Sequence, residues 1–159
     1  MRWPTCVLAF VLVQSAHAET LSGTVVTVID GDTLTVADAA KKPHRVRLLG
    51  IDAPEAKQAF YVRSARSLAQ ICYLKAAEVE WREAERGLFL GQVSCEGTAA
   101  NEEQVRRGMA WVSPRQTGPG SALYELEAYA RLRKTGLWAD EKAVPPWEWR
   151  STGHGGKGK

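Results

Sequence analysis

From Gly23 to Leu49 the chain reads as three strands in quick succession, and this commits the start of the molecule to β-sheet. Gly23-Thr24-Val25-Val26-Thr27-Val28-Ile29 and Thr33-Leu34-Thr35-Val36 are rich in β-branched residues, and Asp30-Gly31-Asp32 between them has the composition of a tight turn. After Lys41-Lys42-Pro43, the run Arg45-Val46-Arg47-Leu48-Leu49 alternates polar and apolar residues, and this third strand is expected to end at Gly50 or Asp52. Between Gln58 and Tyr73 the spacing of Phe60, Val62, Ala65, Leu68, Ala69, Ile71 and Cys72 changes to that of a helix. Ala77–Trp81 and Leu88–Val93 supply strands four and five. Asn101 is placed as the N-cap of a short helix through Gly108, with Glu102 and Glu103 favourably set in its first turn. Ser121 is placed as the N-cap of a helix over Ala122 to Thr135, with Gly136 as its C′ residue. This order suits an α+β, mainly β protein: a small, partly open five-stranded barrel with about three helices at its side and bottom.

Residues 1–18 stand apart from that plan. Met1-Arg2-Trp3 is a positive start, Val7 to Val13 is a short apolar core, and Ser15-Ala16-His17-Ala18 offers a small-residue cleavage site, so this stretch reads as a signal peptide. Its apolar core falls far short of the roughly 20 residues that span a bilayer, so no stable membrane insertion is expected once it is removed. The remaining chain divides into a barrel domain over 19–141 and an extension over 142–159, whose last nine residues, mostly Gly, Lys and His, are expected to be disordered. Of the 21 Lys and Arg and 18 Asp and Glu, only Arg2 falls in the leader, which leaves a nearly balanced surface. A field spread over the whole protein cannot be the main attraction for a polyanion, so any nucleic-acid site must be locally basic. Cys6 leaves with the leader and Cys72 and Cys95 remain, an even number in an exported, oxidising setting (periplasmic or secreted). A Cys72–Cys95 disulfide is the expectation, against the alternative of two separately buried thiols.

Asp30, Asp32, Asp52 and Glu55 fall at two strand ends separated by a single hairpin, so one barrel can bring both acidic turns together. Carboxylate oxygens suit a hard cation such as Ca²⁺ or Mg²⁺. Asp-Gly-Asp alone is weak support, because such turns are common for conformational reasons. Arg47 adds a cation on the strand that leads to Asp52, where packing alone explains it poorly. Phosphate is the natural guest of a metal, a guanidinium and a free carboxylate. Zinc is disfavoured, since His17, His44 and His154 have no ligand partners at zinc spacing.

Two longer stretches, Val28-Ile29-Asp30-Gly31-Asp32-Thr33 and Val46-Arg47-Leu48-Leu49-Gly50-Ile51-Asp52-Ala53-Pro54-Glu55, strongly resemble the staphylococcal nuclease (thermonuclease) family. Asn101 to Ala110 and Ala130-Arg131 to Gly136-Leu137-Trp138 extend the resemblance over about residues 22–139. It implies an OB-fold barrel and cleavage of DNA or RNA, with little sequence specificity, by a monomer that uses one Ca²⁺ ion. The ion would be held by Asp32, Asp52 and the backbone carbonyl of Ala53. Glu55 would be the general base, Arg47 would stabilise charge on the phosphoryl group, and Asp30 would shape the turn. Family members often carry Thr at the position of Ala53, a difference of small consequence for a backbone contact.

The sequence departs from the family at a second arginine, expected on the fifth strand. Counting back from Asn101 puts Leu88 at that position, with Arg86 two residues earlier. Either Leu88 fills the barrel and one stabilising cation is lost, or Arg86, on the same strand face, takes over as a catalytic residue. The first alternative leaves a second function class open: a catalytically weak or inactive nucleic-acid-binding module on the same barrel. Trp81, Trp111, Tyr124, Tyr129 and Trp138 are read mainly as core, and Arg63, Arg66, Arg106 and Arg107 as solvated helix faces.

Overall fold

The computed structural model describes residues 19–83 and 85–153; the leader and the tail from 154 onward, including most of the stretch expected to be disordered, lie outside them. The β-branched runs form β1 (Glu19–Val28), β2 (Thr33–Ala37) and β3 (Pro43–Leu48), and the chain continues through a two-residue β4 (Ile51–Asp52) into α1 (Tyr61–Cys72). After α1 come β5 (Ala76–Glu83), β6 (Leu88–Cys95), β7 (Thr98–Ala99), α2 (Ala100–Arg106), β8 (Trp111–Val112), α3 (Ala122–Leu132) and α4 (Pro146–Ser151).

β1 is long enough to serve two neighbours. Its first half pairs with β5 and its second half with β2, with an irregularity between Val25 and Thr27 where the strand bends. β2 pairs with β3 and β5 with β6, all antiparallel, and the parallel pairing of β3 with β6 closes the five-stranded barrel. β7 is an extra edge strand, and β4 and β8 form a separate two-stranded ladder. The result is the OB-fold barrel.

Alternation along the strands sends Val25, Leu34, Val36, Val46, Leu48, Val79 and Val93 inward, where they meet Leu68 and Ile71 of α1. Each such side chain contributes about 1.5–3 kcal/mol by leaving water. A second, smaller core gathers Trp111, Ala130, Leu137 and Trp138, with Phe60, Ala143 and Trp147 against it. Trp81 stacks on Phe89 at 3.7 Å, so most of the aromatic residues serve packing, while Tyr129 is half exposed. Cys72 and Cys95 are joined in a disulfide.

Two local expectations are corrected. Asn101 does not cap α2: the N-cap is Ala99, and Asn101 lies buried in the first turn, accepting from Val93 N at 2.9 Å and donating to Leu49 O and Gly91 O. Its amide can satisfy three backbone groups of the barrel at once, which outweighs a capping bond to its own helix. Ser121 does cap α3, accepting from Leu123 N at 3.3 Å, but the helix ends at Leu132 and the left-handed residue after it is Lys134. Gly136 starts a 3₁₀ turn instead. A Cβ there would lie 2.2 Å from Gly108 O, so the glycine is required by the close crossing of two backbones.

Candidate active site

The turn Asp30-Gly31-Asp32 is held from three directions. Asp30 Oδ1 accepts from Asp32 N at 3.0 Å, an Asx turn that fixes the local backbone. A Cβ on Gly31 would sit 1.8 Å from Ser64 Oγ of α1, so no side chain fits there. Gln104 of α2, fully buried, donates to Gly31 O at 2.7 Å and to Ser64 O at 3.2 Å, tying the turn to both helices.

Asp32 then points inward at the start of β2. Its Oδ1 accepts from Thr33 Oγ1 at 2.7 Å and its Oδ2 from Ala53 N at 2.8 Å, so the first acidic turn is bonded directly to the second. Asp52 on β4 is also buried. Arg47, opposite Thr33 in the β2–β3 register, lies between them: Nη2 is 3.2 Å from Asp52 Oδ1 and 3.5 Å from Asp32 Oδ2. Its Nε is buried and has no hydrogen-bond partner among the described residues.

The electrostatics follow from one arginine facing three carboxylates. Burial is the strongest influence on Asp32 and pushes its pKa up; Arg47 pulls it down and Asp30 adds to the rise. Burial works against the Arg47 charge, yet Asp32, Asp52 and Asp30 together outweigh it and hold the guanidinium above its ordinary pKa. Arg150, bound to Asp52 and Glu55, works against the Arg47 charge, so two guanidiniums share the acidic groups.

Asp30, Asp32 and Arg47 open onto a cleft of about 190 Å³, lined also by Thr33, Arg45, Ala53, Pro54, Glu55, Ala56, Tyr61 and Leu88. Leu88 thus faces the cleft directly, and its partner across the parallel pairing is Arg45. Arg86 stands exposed in the turn before β6, in a left-handed conformation. Asp52 borders a neighbouring groove with Arg47, Ser113, Pro114 and Trp147. Glu55 is half-buried at the cleft; its backbone N–H donates to Gln58 Oε1 at 2.9 Å.

Sequence reasoning passed over three groups. Arg45 was within reach of it, since residues 45 and 47 share a strand face. Tyr61 opens α1 at the cleft, and only the fold places it there. Arg150 of α4 donates from Nη2 to Asp52 Oδ2 at 2.7 Å and from Nη1 to Asp52 Oδ1 at 3.3 Å, and it also binds Glu55 Oε1. No spacing in the sequence links residue 150 to residues 52 and 55.

A closed five-stranded barrel with Asp32 and Arg47 at one cleft and Asp52 at the adjoining groove defines an OB-fold protein built around a charged site. Residues 45–140 match the family model described as Staphylococcal nuclease homologue, and the chain belongs to that family. It is 38% identical over 154 residues to a protein of Shigella flexneri named micrococcal nuclease, covering 89% of this chain and 88% of that one. It is 41% identical over 132 residues to an uncharacterized endonuclease of Escherichia coli O157:H7, covering 82% and 85%. A protein of Escherichia coli named ParB is 38% identical over 156 residues, with 90% and 86% covered.

Proposed function

We propose that this protein is an exported, Ca²⁺-dependent nuclease that hydrolyses phosphodiester bonds of DNA or RNA with little sequence preference. The observation that carries the reading is Arg47, a half-buried guanidinium set between Asp32 and Asp52 with its buried Nε unpartnered among the described residues, at a cleft that also holds Glu55. A guanidinium so placed has a donor left for a phosphoryl oxygen.

The donor set fits a hard divalent ion. Asp32 and Asp52 offer oxygen only, and no three His, Cys, Asp or Glu side chains converge on one point among the described residues. The chain would supply two carboxylates and the Ala53 carbonyl, with water and phosphate completing the shell. When bound, such an ion polarises the phosphoryl group and offsets its charge. Glu55 takes a proton from the attacking water, and Arg47 donates to the phosphoryl oxygens as their charge grows. Backbone contacts dominate binding, so discrimination among bases is slight.

The disulfide fits an oxidising compartment, and no helix among the described residues is long and apolar enough to cross a membrane. Leu88 in the cleft favours one second reading, a module that binds nucleic acid and cuts it poorly. Digestion of single-stranded DNA and of RNA by the purified protein, with Ca²⁺ or with EDTA, separates the two. The nuclease cuts with Ca²⁺ and stops in EDTA, and Glu55→Gln loses on the order of 10²-fold or more in turnover with its fold intact. Binding without cutting under every divalent ion would favour the module, and a Glu55→Gln variant as fast as the wild type would remove Glu55 from its role.

A further inference from the structure

Position 88 does not carry the arginine of the family pattern, and besides Arg45 and Arg47 in the cleft wall the structure brings a third arginine to the site from another part of the chain. α4 has only six residues, so its placement comes from packing: Trp147 lies against the second core, and Pro146 is buried at the first helical position. Just before it, Val144 O accepts from Gln58 Nε2 at 2.5 Å. The same Gln58 accepts from Glu55 N, so one side chain ties the backbone of the proposed base to the segment that carries Arg150. Arg150, in the last turn of α4, then holds both oxygens of Asp52 and one oxygen of Glu55. Val144, Trp147 and Arg150 lie beyond residue 140, where the match to the family model ends.

We propose that Arg150 is a positioning residue for the hydrolysis proposed above: it fixes the Glu55 carboxylate at the cleft relative to Asp52. The inference rests on the nuclease reading. A guanidinium that filled the whole proposed ion site would meet Asp32 and Ala53 as well as Asp52. Arg150 instead lines the neighbouring groove with Ser113, Pro114 and Trp147, and it touches neither Asp32 nor Ala53 among its described hydrogen bonds. It reaches Asp52 and Glu55 from that groove and does not line the cleft itself. Its fork geometry suits this task, because one planar group fixes two carboxylates relative to each other.

The test compares wild type, Arg150→Ala and Arg150→Lys on a short single-stranded oligonucleotide in Ca²⁺, together with calorimetric titration of Ca²⁺ alone and thermal unfolding of each protein. Arg150→Ala is expected to lower kcat on the order of 10²-fold, the usual loss when a reacting group is misplaced by about an ångström. KM stays near the wild-type value, and Arg150→Lys recovers part of kcat because charge is kept while the fork is lost. Calcium binding tightens in Arg150→Ala, since a positive charge has left Asp52, and unfolding changes little. An Arg150→Ala variant that cuts as fast as wild type or faster overturns the inference and makes the residue a bystander or a plug. Loss of Ca²⁺ affinity in parallel with kcat also overturns it, because the effect then lies in the metal site. A wild type that does not cut in any divalent ion defeats the nuclease reading itself, and that result is reached before any variant is made.

Discussion

At Asp32 burial and function pull in opposite directions, because a carboxylate with 3% of its surface exposed loses most of its hydration while Arg47 restores only part of the loss. Burial raises its pKa above the ordinary value. A carboxyl whose pKa is higher folded than unfolded favours the fold while protonated, and that contribution disappears as pH rises through the folded value. Above that folded value the metal-free protein therefore carries the cost of an ionised Asp32. Asp32→Asn keeps an oxygen to accept from Ala53 N, so in EDTA at pH 7 it should melt a few degrees above wild type and lose less stability as pH climbs from the carboxylate range. The same variant should lose the stabilisation that Ca²⁺ gives wild type. Melting curves in EDTA and in Ca²⁺ check both, and a lower melting point in EDTA would mean that the pairing with Arg47 outweighs burial. Asp32, Asp52, Glu55 and Arg47 could be picked out from the sequence because they sit at strand ends within one stretch of chain, where a turn and an alternation are visible. Arg150 could not, since its partners lie about a hundred residues away and only the packing of Trp147 and Val144 brings them together.

Among the elements, α2 shows how a helix can serve a site it does not line. Its Gln104 reaches Gly31 O and Ser64 O, and its Asn101 reaches Leu49 O, Gly91 O and Val93 N, so two amides join the acidic turn, α1, β6 and the residue that follows β3. Gln104→Met conserves volume and removes only the hydrogen bonds, which isolates their effect. It should cost about 2–3 kcal/mol, because buried carbonyls are left without a donor, and it should lower kcat as the Asp32 turn loosens. Urea unfolding with an unchanged slope, alongside initial rates, checks the pair of effects; full stability with full activity would show that the turn holds itself through Asp30. The strands, α1 and α3 were legible from alternation and from helical spacing. The role of Asn101 was not, since its residue type favours a cap and only the neighbouring barrel offers it three better partners. α4 carries no sustained apolar period, and its helix depends on a core formed by other elements.

Across the whole molecule, the cleft and the disulfide sit at opposite ends of the same two elements. α1 begins at Tyr61 and β6 begins at Leu88, both in the cleft wall, and they end at Cys72 and Cys95, which are bonded to each other. The bond therefore fixes the far end of the helix against the far end of the strand, over a sequence separation of 23. Closing a loop of that length in the unfolded chain is worth about 3 kcal/mol, so Cys72→Ala/Cys95→Ala should lower the melting temperature by roughly 10 °C for a domain of this size. Well below that transition its kcat should match wild type, because Asp32 is held by Thr33 and Ala53, Glu55 by Gln58, and Asp52 by Arg47 and Arg150, all at the other end. Melting curves and rates at low temperature, measured on the same preparation, give both values. A variant that keeps its melting point would show that the barrel core alone sets stability. One that loses kcat while still folded would show instead that the disulfide, from the far end of α1 and β6, also sets the width of the cleft between Tyr61 and Leu88.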